Sequence, residues 1–300
     1  MTLRPPRDDE FDAMLELMNA HQLVAFGEAD VTADELRTWL TSPSVDVERD
    51  IRVLEEGRRL VGYIDVDPSN ADPPLWWCDL KVSPDVDADR VTGELVGWLG
   101  ERIDRGRTRV WSSATDARVL GAIERLGFEP ARHSYRMEVD LADTGEPIWP
   151  DGISVKALAE GEVRRVYDAV TEVWEDTSDP IDETFEEWSH WLLRKETFEP
   201  CLWLLAFTDE ELAGFSICRK DLVDPAAGHV DLLGVRRPWR RHGLGEALLL
   251  HSFQAFRQHG WTRGTLGVDA SSPTGATRLY ERAGMTIYRT TVFLERPVHG

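Results

Sequence analysis

Two periodicities alternate along the second half of the chain. "ISVKAL" (residues 153–158) alternates polar and apolar positions with a period of two, which predicts a strand. "GEVRRVYDAVTEVW" (161–174) and "DETFEEWSHWLLRK" (182–195) carry apolar residues three and four apart, the spacing of amphipathic helices. "CLWLLAF" and "ELAGFSICR" flank "TDE" and predict a hairpin. "GHVDLLGV" (228–235) reads as a further strand, followed by a helix that stops near His259–Gly260. "GTLGVDA", "TGATRLYERAG" and "TIYRTTVFLERP" then read as strand, helix and strand. The predicted order is β-α-α-β-β-β-α-β-α-β, a mixed sheet with helices on both faces. Such an order belongs to the α/β or α+β layered class.

The first half repeats this pattern. "LVGY" at Leu60–Tyr63 recurs as "LAGF" at Leu212–Phe215, "DLKV" at Asp79–Val82 as "DLLGV" at Asp231–Val235, and "ERLGF" at Glu124–Phe128 as "ERAGM" at Glu281–Met285. The three matches fall in the same order with slowly drifting offsets, so we expect two homologous domains in tandem. "RVWSSA" and "DARVLGAIERLG" supply the last strand-helix pair of the first copy. The Pro- and Gly-bearing segment Ala142–Gly152 is the natural linker, which sets the expected domains at 1–145 and 146–300.

Composition narrows the class. Of the 300 residues, 42% are apolar, enough for a packed core. No apolar run reaches the length of a membrane helix, and "MTLRPPRDDE" lacks the apolar segment of a signal peptide. The expectation is a cytoplasmic protein without a membrane partner, as a monomer or a homodimer. Cys78, Cys201 and Cys218 are few, odd in number and far apart, which argues against disulfides and a cysteine metal site. His251 and His259 are too far apart on one helix to act as adjacent ligands, and no metal is expected. The formal net charge of −21 argues against a nucleic-acid partner and is compatible with a cationic substrate such as an amine.

Against this acidic background, "RRHGLGEALL" (240–249) stands out, with Arg236, Arg237, Arg240 and Arg241 forming a local positive island. A glycine turn between a strand and a helix points backbone N–H groups at a phosphate, and the helix N-terminus adds partial positive charge. A dinucleotide turn needs a third glycine, and here Leu248 follows. A nucleoside-triphosphate loop needs Gly-Lys-Ser/Thr, and no lysine is near. The remaining pattern is Arg-x-x-Gly-x-Gly, with Arg240, Gly243 and Gly245.

Two stretches, "LLGVRRPWRRHGLGEALL" (232–249) and "VDASSPTGATRLYERAGM" (268–285), resemble the GCN5-related N-acetyltransferase (GNAT) superfamily, and the paired-domain architecture resembles its mycothiol synthase group. The resemblance implies transfer of an acetyl group from acetyl-CoA to the primary amine of a small molecule. It implies that Arg240, Arg241, His242, Gly243, Leu244 and Gly245 hold the pyrophosphate. The strand carrying Leu233, Gly234 and Val235 would pair with the pantetheine arm, with Gly234 at a bulge. Tyr280 sits at the family's acid position and would protonate the departing thiolate. Ser272 or Pro273 stands where the family carries an asparagine that contacts the cofactor. His229 is the candidate general base, with Asp231, two residues on, as the alternative. Trp174, Trp188 and Trp191, beside Glu172, Glu175, Asp176 and Asp179, lie on the two helices that line the acceptor in this family, though an ordinary core stripe explains them as well.

The first copy lacks these features. Asp85, Asp87 and Asp89 replace the turn, and Ile123 stands at the tyrosine position. We therefore expect no catalysis there. A competing expectation for the whole chain is a catalytically silent acyl-CoA sensor.

Overall fold

The computed structural model describes residues 1–177, 180–193, 198–272 and 275–298. The chain forms two compact units. The first holds residues 1–133, 189–195 and 290–300, and the second holds 134–188 and 196–289. Both units depart from the expected boundary at 145. Residues 134–145 lie in the second unit and 290–300 in the first.

The first unit begins with β1 (Thr2–Arg4), α1 (Phe11–Phe26), α2 (Ala33–Leu40) and α3 (Val47–Asp50). β2 (Ile51–Glu56), β3 (Arg59–Asp65), β4 (Asp67–Pro68), β5 (Leu75–Cys78) and β6 (Leu80–Val82) follow, then α4 (Ala88–Arg102), β7 (Arg107–Ser113) and α5 (Ala117–Arg125). β1, β2, β3 and β6 pair antiparallel in that order. β5 pairs parallel to β7. Adjacent residues of β3 face opposite layers. A Cβ at Gly62 would meet Val91 and Leu95 of α4, whereas the Tyr63 hydroxyl accepts a hydrogen bond from Trp39 of α2.

β8 (Glu129–Asp140) leads to residues 144–150, which form neither helix nor strand. Then come β9 (Ile153–Ala157), α6 (Val163–Trp174), α7 (Phe185–Leu193), β10 (Trp203–Thr208), β11 (Glu211–Lys220) and β12 (Ala227–Val235). α8 (Leu244–Gln258), β13 (Arg263–Asp269), α9 (Ala276–Arg282) and β14 (Thr286–Pro297) complete the chain. The element order from β9 to β14 is the predicted one. β9 to β12 pair antiparallel in chain order, β12 and β13 are parallel, and residues 134–140 of β8 close the far edge of β13 antiparallel. The fold is therefore α/β, with mixed, mostly antiparallel sheets. A Cβ at Gly214 would meet Leu244 and Leu248 of α8, while the neighbouring Phe215 stacks on Trp174 of α6, so helices cover both faces.

Candidate active site

β12 carries the site because it parts from β13 halfway along. Its parallel pairing with β13 covers only Ala227–Val230, whereas β13 continues to Asp269. Its antiparallel pairing with β11 continues to Val235. Between Val230 and Leu266 the two parallel strands thus part, leaving the β13-facing edge of residues 231–235 outside the ladder. The register with β11 slips here. Ile217 faces Leu232 while Cys218 faces Val230, so Asp231 is the extra residue of a bulge. The bulge expected at Gly234 lies three residues earlier. Gly234 has a different reason: a Cβ there would stand 2.3 Å from the Phe215 ring.

The strand leads into the glycine turn. Arg241 has φ +65° and Gly243 φ +83°, a left-handed conformation suited to glycine. Gly243 is the N-cap of α8, and no side chain caps this helix. Its first-turn N–H groups are therefore directed outward, the arrangement that receives a phosphate. Arg240, Arg241, His242, Gly243, Leu244 and Gly245 all lie in this turn, at the end of the strand that holds Leu233, Gly234 and Val235. The arginines are not the open positive island expected. Arg236 pairs with Glu172 at 2.7 Å, Arg237 with Glu175 and Asp176 at 2.9 Å, and Arg240 with Asp176 at 2.6 Å. The expectation weighed the local sequence alone, and carboxylates at the end of α6 supply the opposing charge. Hydrogen bonds from Arg237 and Arg240 hold the Asp176 carboxyl down to about 2. Arg241 alone among the four is exposed without an ion pair to a described residue.

His229 sits at 5% exposure on β12, opposite Thr265 of β13. Its Nδ1 lies 2.7 Å from Thr265 Oγ1, and that hydroxyl donates to Asp221 Oδ2 at 2.6 Å. A hydroxyl has one proton, and the Asp221 carboxylate accepts it. Thr265 must then accept from Nδ1–H, which leaves Nε2 as the basic nitrogen. Burial opposes ionisation of Asp221, but hydrogen bonds from Thr265 and from the N–H groups of Val223 and Asp224 outweigh it, so its pKa is lowered. Thr265 and Asp221 were not foreseen; the pairing of β12 with β13 brings Thr265 to His229, and its pairing with β11 brings Asp221. Asp231, the alternative base, is committed elsewhere: Arg219 Nε reaches its Oδ2 at 2.8 Å and its Oδ1 at 3.0 Å. His229 Nε2 is 3.8 Å from Asp231 Oδ1.

Tyr280 lies on α9 at 7% exposure, packed among Leu249, Phe253, Ala283 and Met285. Burial pushes its phenol up to about 12, so it stays protonated across the physiological range. Ser272 follows β13, and its N–H donates to Asp269 O; Pro273 lies outside the described residues. Of the three tryptophans, Trp174 stacks on Phe215 and Trp188 packs edge-on to Trp203, both core contacts of the second unit. Trp191 belongs to the first unit, and Asp179 lies outside the described residues. Glu199, Cys201 and His259 bring donor atoms within 4.8 Å of one another, a grouping sequence spacing did not suggest.

The matching turn of the first unit is built differently. The Asp87 side chain caps α4 by accepting from Arg90 N–H, occupying the N-terminus that α8 leaves bare. Asp85 pairs with Arg59 and Asp89 with Arg125. Ile123 is fully buried.

Residues 163–285 match the acetyltransferase (GNAT) family. The chain thus carries a GNAT domain within its second half. A mycothiol acetyltransferase of Streptomyces scabiei is 29% identical over 195 residues, 61% of this chain and 60% of that relative, so the chain spans under two thirds of it in that match. One of Streptomyces coelicolor is 25% identical over 310 residues, 96% of each chain. A GCN5-related N-acetyltransferase structure from Sphaerobacter thermophilus superposes with a TM-score of 0.78 at 27% identity, covering 100% of this chain and 96% of that one. A tandem GNAT protein from the clavulanic acid biosynthesis pathway shares the fold, with a TM-score of 0.77 at 18% identity, covering 100% of this chain and 99% of that one. No helix among the described residues is long and apolar enough to cross a membrane.

Proposed function

We propose that the second unit transfers an acetyl group from acetyl-CoA to the primary amine of a small molecule, by direct attack with donor and acceptor bound together. The observation that carries this reading is the parting of β12 from β13 directly before an uncapped helix N-terminus. An extended amide-bearing arm fits the unladdered edge at Leu233, Gly234 and Val235, as an added strand. A pyrophosphate fits the N–H groups between Arg240 and Gly245, with Arg241 as its cation and Ser272 across the gap. Acetyl-CoA supplies an activated thioester at the inner end of that arm.

The residues divide the proton work. An alkyl ammonium has a pKa near about 10 and must lose a proton before it can attack. His229 accepts that proton at Nε2, directly or through water, with Asp221 and Thr265 holding the tautomer. Asp231 shapes the field beside Nε2 while paired with Arg219. Tyr280 donates its phenolic proton to the departing sulfur. The first unit has an aspartate-capped turn, and Ile123 stands at the position matching Tyr280.

The acceptor is a small molecule, as the names of the mycothiol acetyltransferase relatives suggest. An amine panel with acetyl-CoA, read by free-thiol release, tests the reading. Tyr280→Phe is expected to lower kcat by about 100-fold, the scale of one positioned proton donor. Its affinity for CoA, measured by calorimetry, stays within twofold of wild type. CoA binding without thiol release on any amine would make the chain a sensor instead.

A further inference from the structure

A cavity of about 400 Å³ lies within the first unit, lined from α1, α2, the strands β3 to β7 and the end of α7 that belongs to this unit. Its size suits a small ligand, and the acetyl-transfer reading makes no use of it. Its walls are indoles: Trp39, Trp77, Trp111 and Trp191. Its polar lining is rich in carboxyls, from Asp30, Glu35, Asp67 and Asp79 among others, against a single ammonium, that of Lys81. Aromatic faces beside carboxylates attract an organic cation.

The lining already handles one such cation, supplied by the chain itself. Lys81 is 1% exposed, with Nζ 3.8 Å from the Trp111 ring centroid and 2.7 Å from Asp79 Oδ1. An independent observation concerns Gln22, 5% exposed and also in the lining. Its Nε2 donates to Asp30 Oδ1 at 2.6 Å. A carboxylate only accepts, so this bond fixes which end of the amide is which. Gln22 Oε1 is then left buried without a hydrogen-bond partner among the described residues. A buried acceptor in that state calls for an incoming N–H.

We propose that this cavity is a binding site for a small organic ammonium. Its N–H groups meet Gln22 Oε1 and the neighbouring carboxylates, and its carbon body lies against the tryptophans. The site is independent of the second unit and performs no acetyl transfer of its own.

The test is calorimetric titration of the full chain, without acetyl-CoA, with 2-phenylethylammonium. The neutral isostere 2-phenylethanol and the anion 3-phenylpropanoate are the controls. The ammonium is expected to bind saturably, with both controls at least tenfold weaker. Gln22→Leu and the near-isosteric Glu35→Gln are each expected to weaken binding at least fivefold, and His229→Gln in the second unit to leave it within twofold. Any of four results overturns the proposal: no binding of the ammonium, equal binding of a control, unchanged affinity in both first-unit variants, or loss of binding in His229→Gln. The last would move the probe to the second unit's acceptor site. Failure of thiol release in the acetyl-transfer assay leaves this result untouched.

Discussion

A histidine acts as a base only if the correct nitrogen lacks its proton, and in this chain a threonine makes that choice. Thr265 Oγ1 stands between His229 Nδ1 and Asp221 Oδ2, at 2.7 and 2.6 Å. Thr265→Val removes both bonds while nearly preserving shape. We expect a fall in kcat of about tenfold, the loss of one orienting contact from a base worth about 10²–10⁴, with the KM for acetyl-CoA unchanged. Steady-state kinetics on any accepted amine decide it, and an unaltered kcat would remove the relay from the mechanism. A second residue-scale effect lies in the first unit. Burial and the Asp79 carboxylate push Asp65 up to about 8, from 3.8. The folded state therefore binds a proton that the unfolded state has released across that interval. The resulting stability is complete below about pH 4 and is lost as the pH rises towards 8. Asp65→Asn should remove this slope. In thermal melts, its Tm relative to wild type rises steadily from pH 5 to pH 8; parallel curves would show that Asp65 ionises normally.

At the scale of the element, β12 joins two requirements that sequence reading kept apart. In the sequence Gly234 suits a strand bulge, yet the bulge falls at Asp231 and Gly234 makes room for Phe215. Gly234→Ala forces its Cβ into that ring. We expect a loss of about 1–3 kcal/mol, the usual cost of overpacking, readable as a lower midpoint in urea. If the ring swings aside, the midpoint stays put and the close approach is not limiting. Periodicity was enough to read the elements from β9 to β14 in their order, since each has its own apolar pattern. The turn was legible because Arg240, Gly243 and Gly245 fall within six consecutive positions. The partners of that turn were not. Asp176 meets Arg240 from 64 positions away, and Asp221 meets Thr265 from 44 away. Such pairs depend on which strands lie side by side, and no local pattern records that.

At the scale of the whole molecule, the sequence repeat and the compact units divide the chain differently. Residues 291–297 pair with 107–113 inside the first unit, and residues 134–140 pair with 263–269 inside the second. Each unit therefore takes a strand from beyond its own repeat, which a search for similar segments cannot detect. The consequence is specific. Val292 and Leu294 are buried in the core of the first unit beside Val110 and Phe128, and Glu295 pairs with Arg109 at 2.6 Å, both side chains about nine-tenths buried. Deleting residues 290–300 should thus destabilise the end of the molecule farther away in sequence. Burying two aliphatic side chains is worth about 3 kcal/mol or more, and the deletion also removes a ladder from β7. In hydrogen exchange, the amides of residues 107–113 should lose protection in the truncated chain. Those of 263–269, whose partner strand is intact, should keep it. Equal protection of 107–113 in the two chains would mean that β7 does not depend on the C-terminal strand. Loss confined to 263–269 would mean that the last strand serves its own repeat after all.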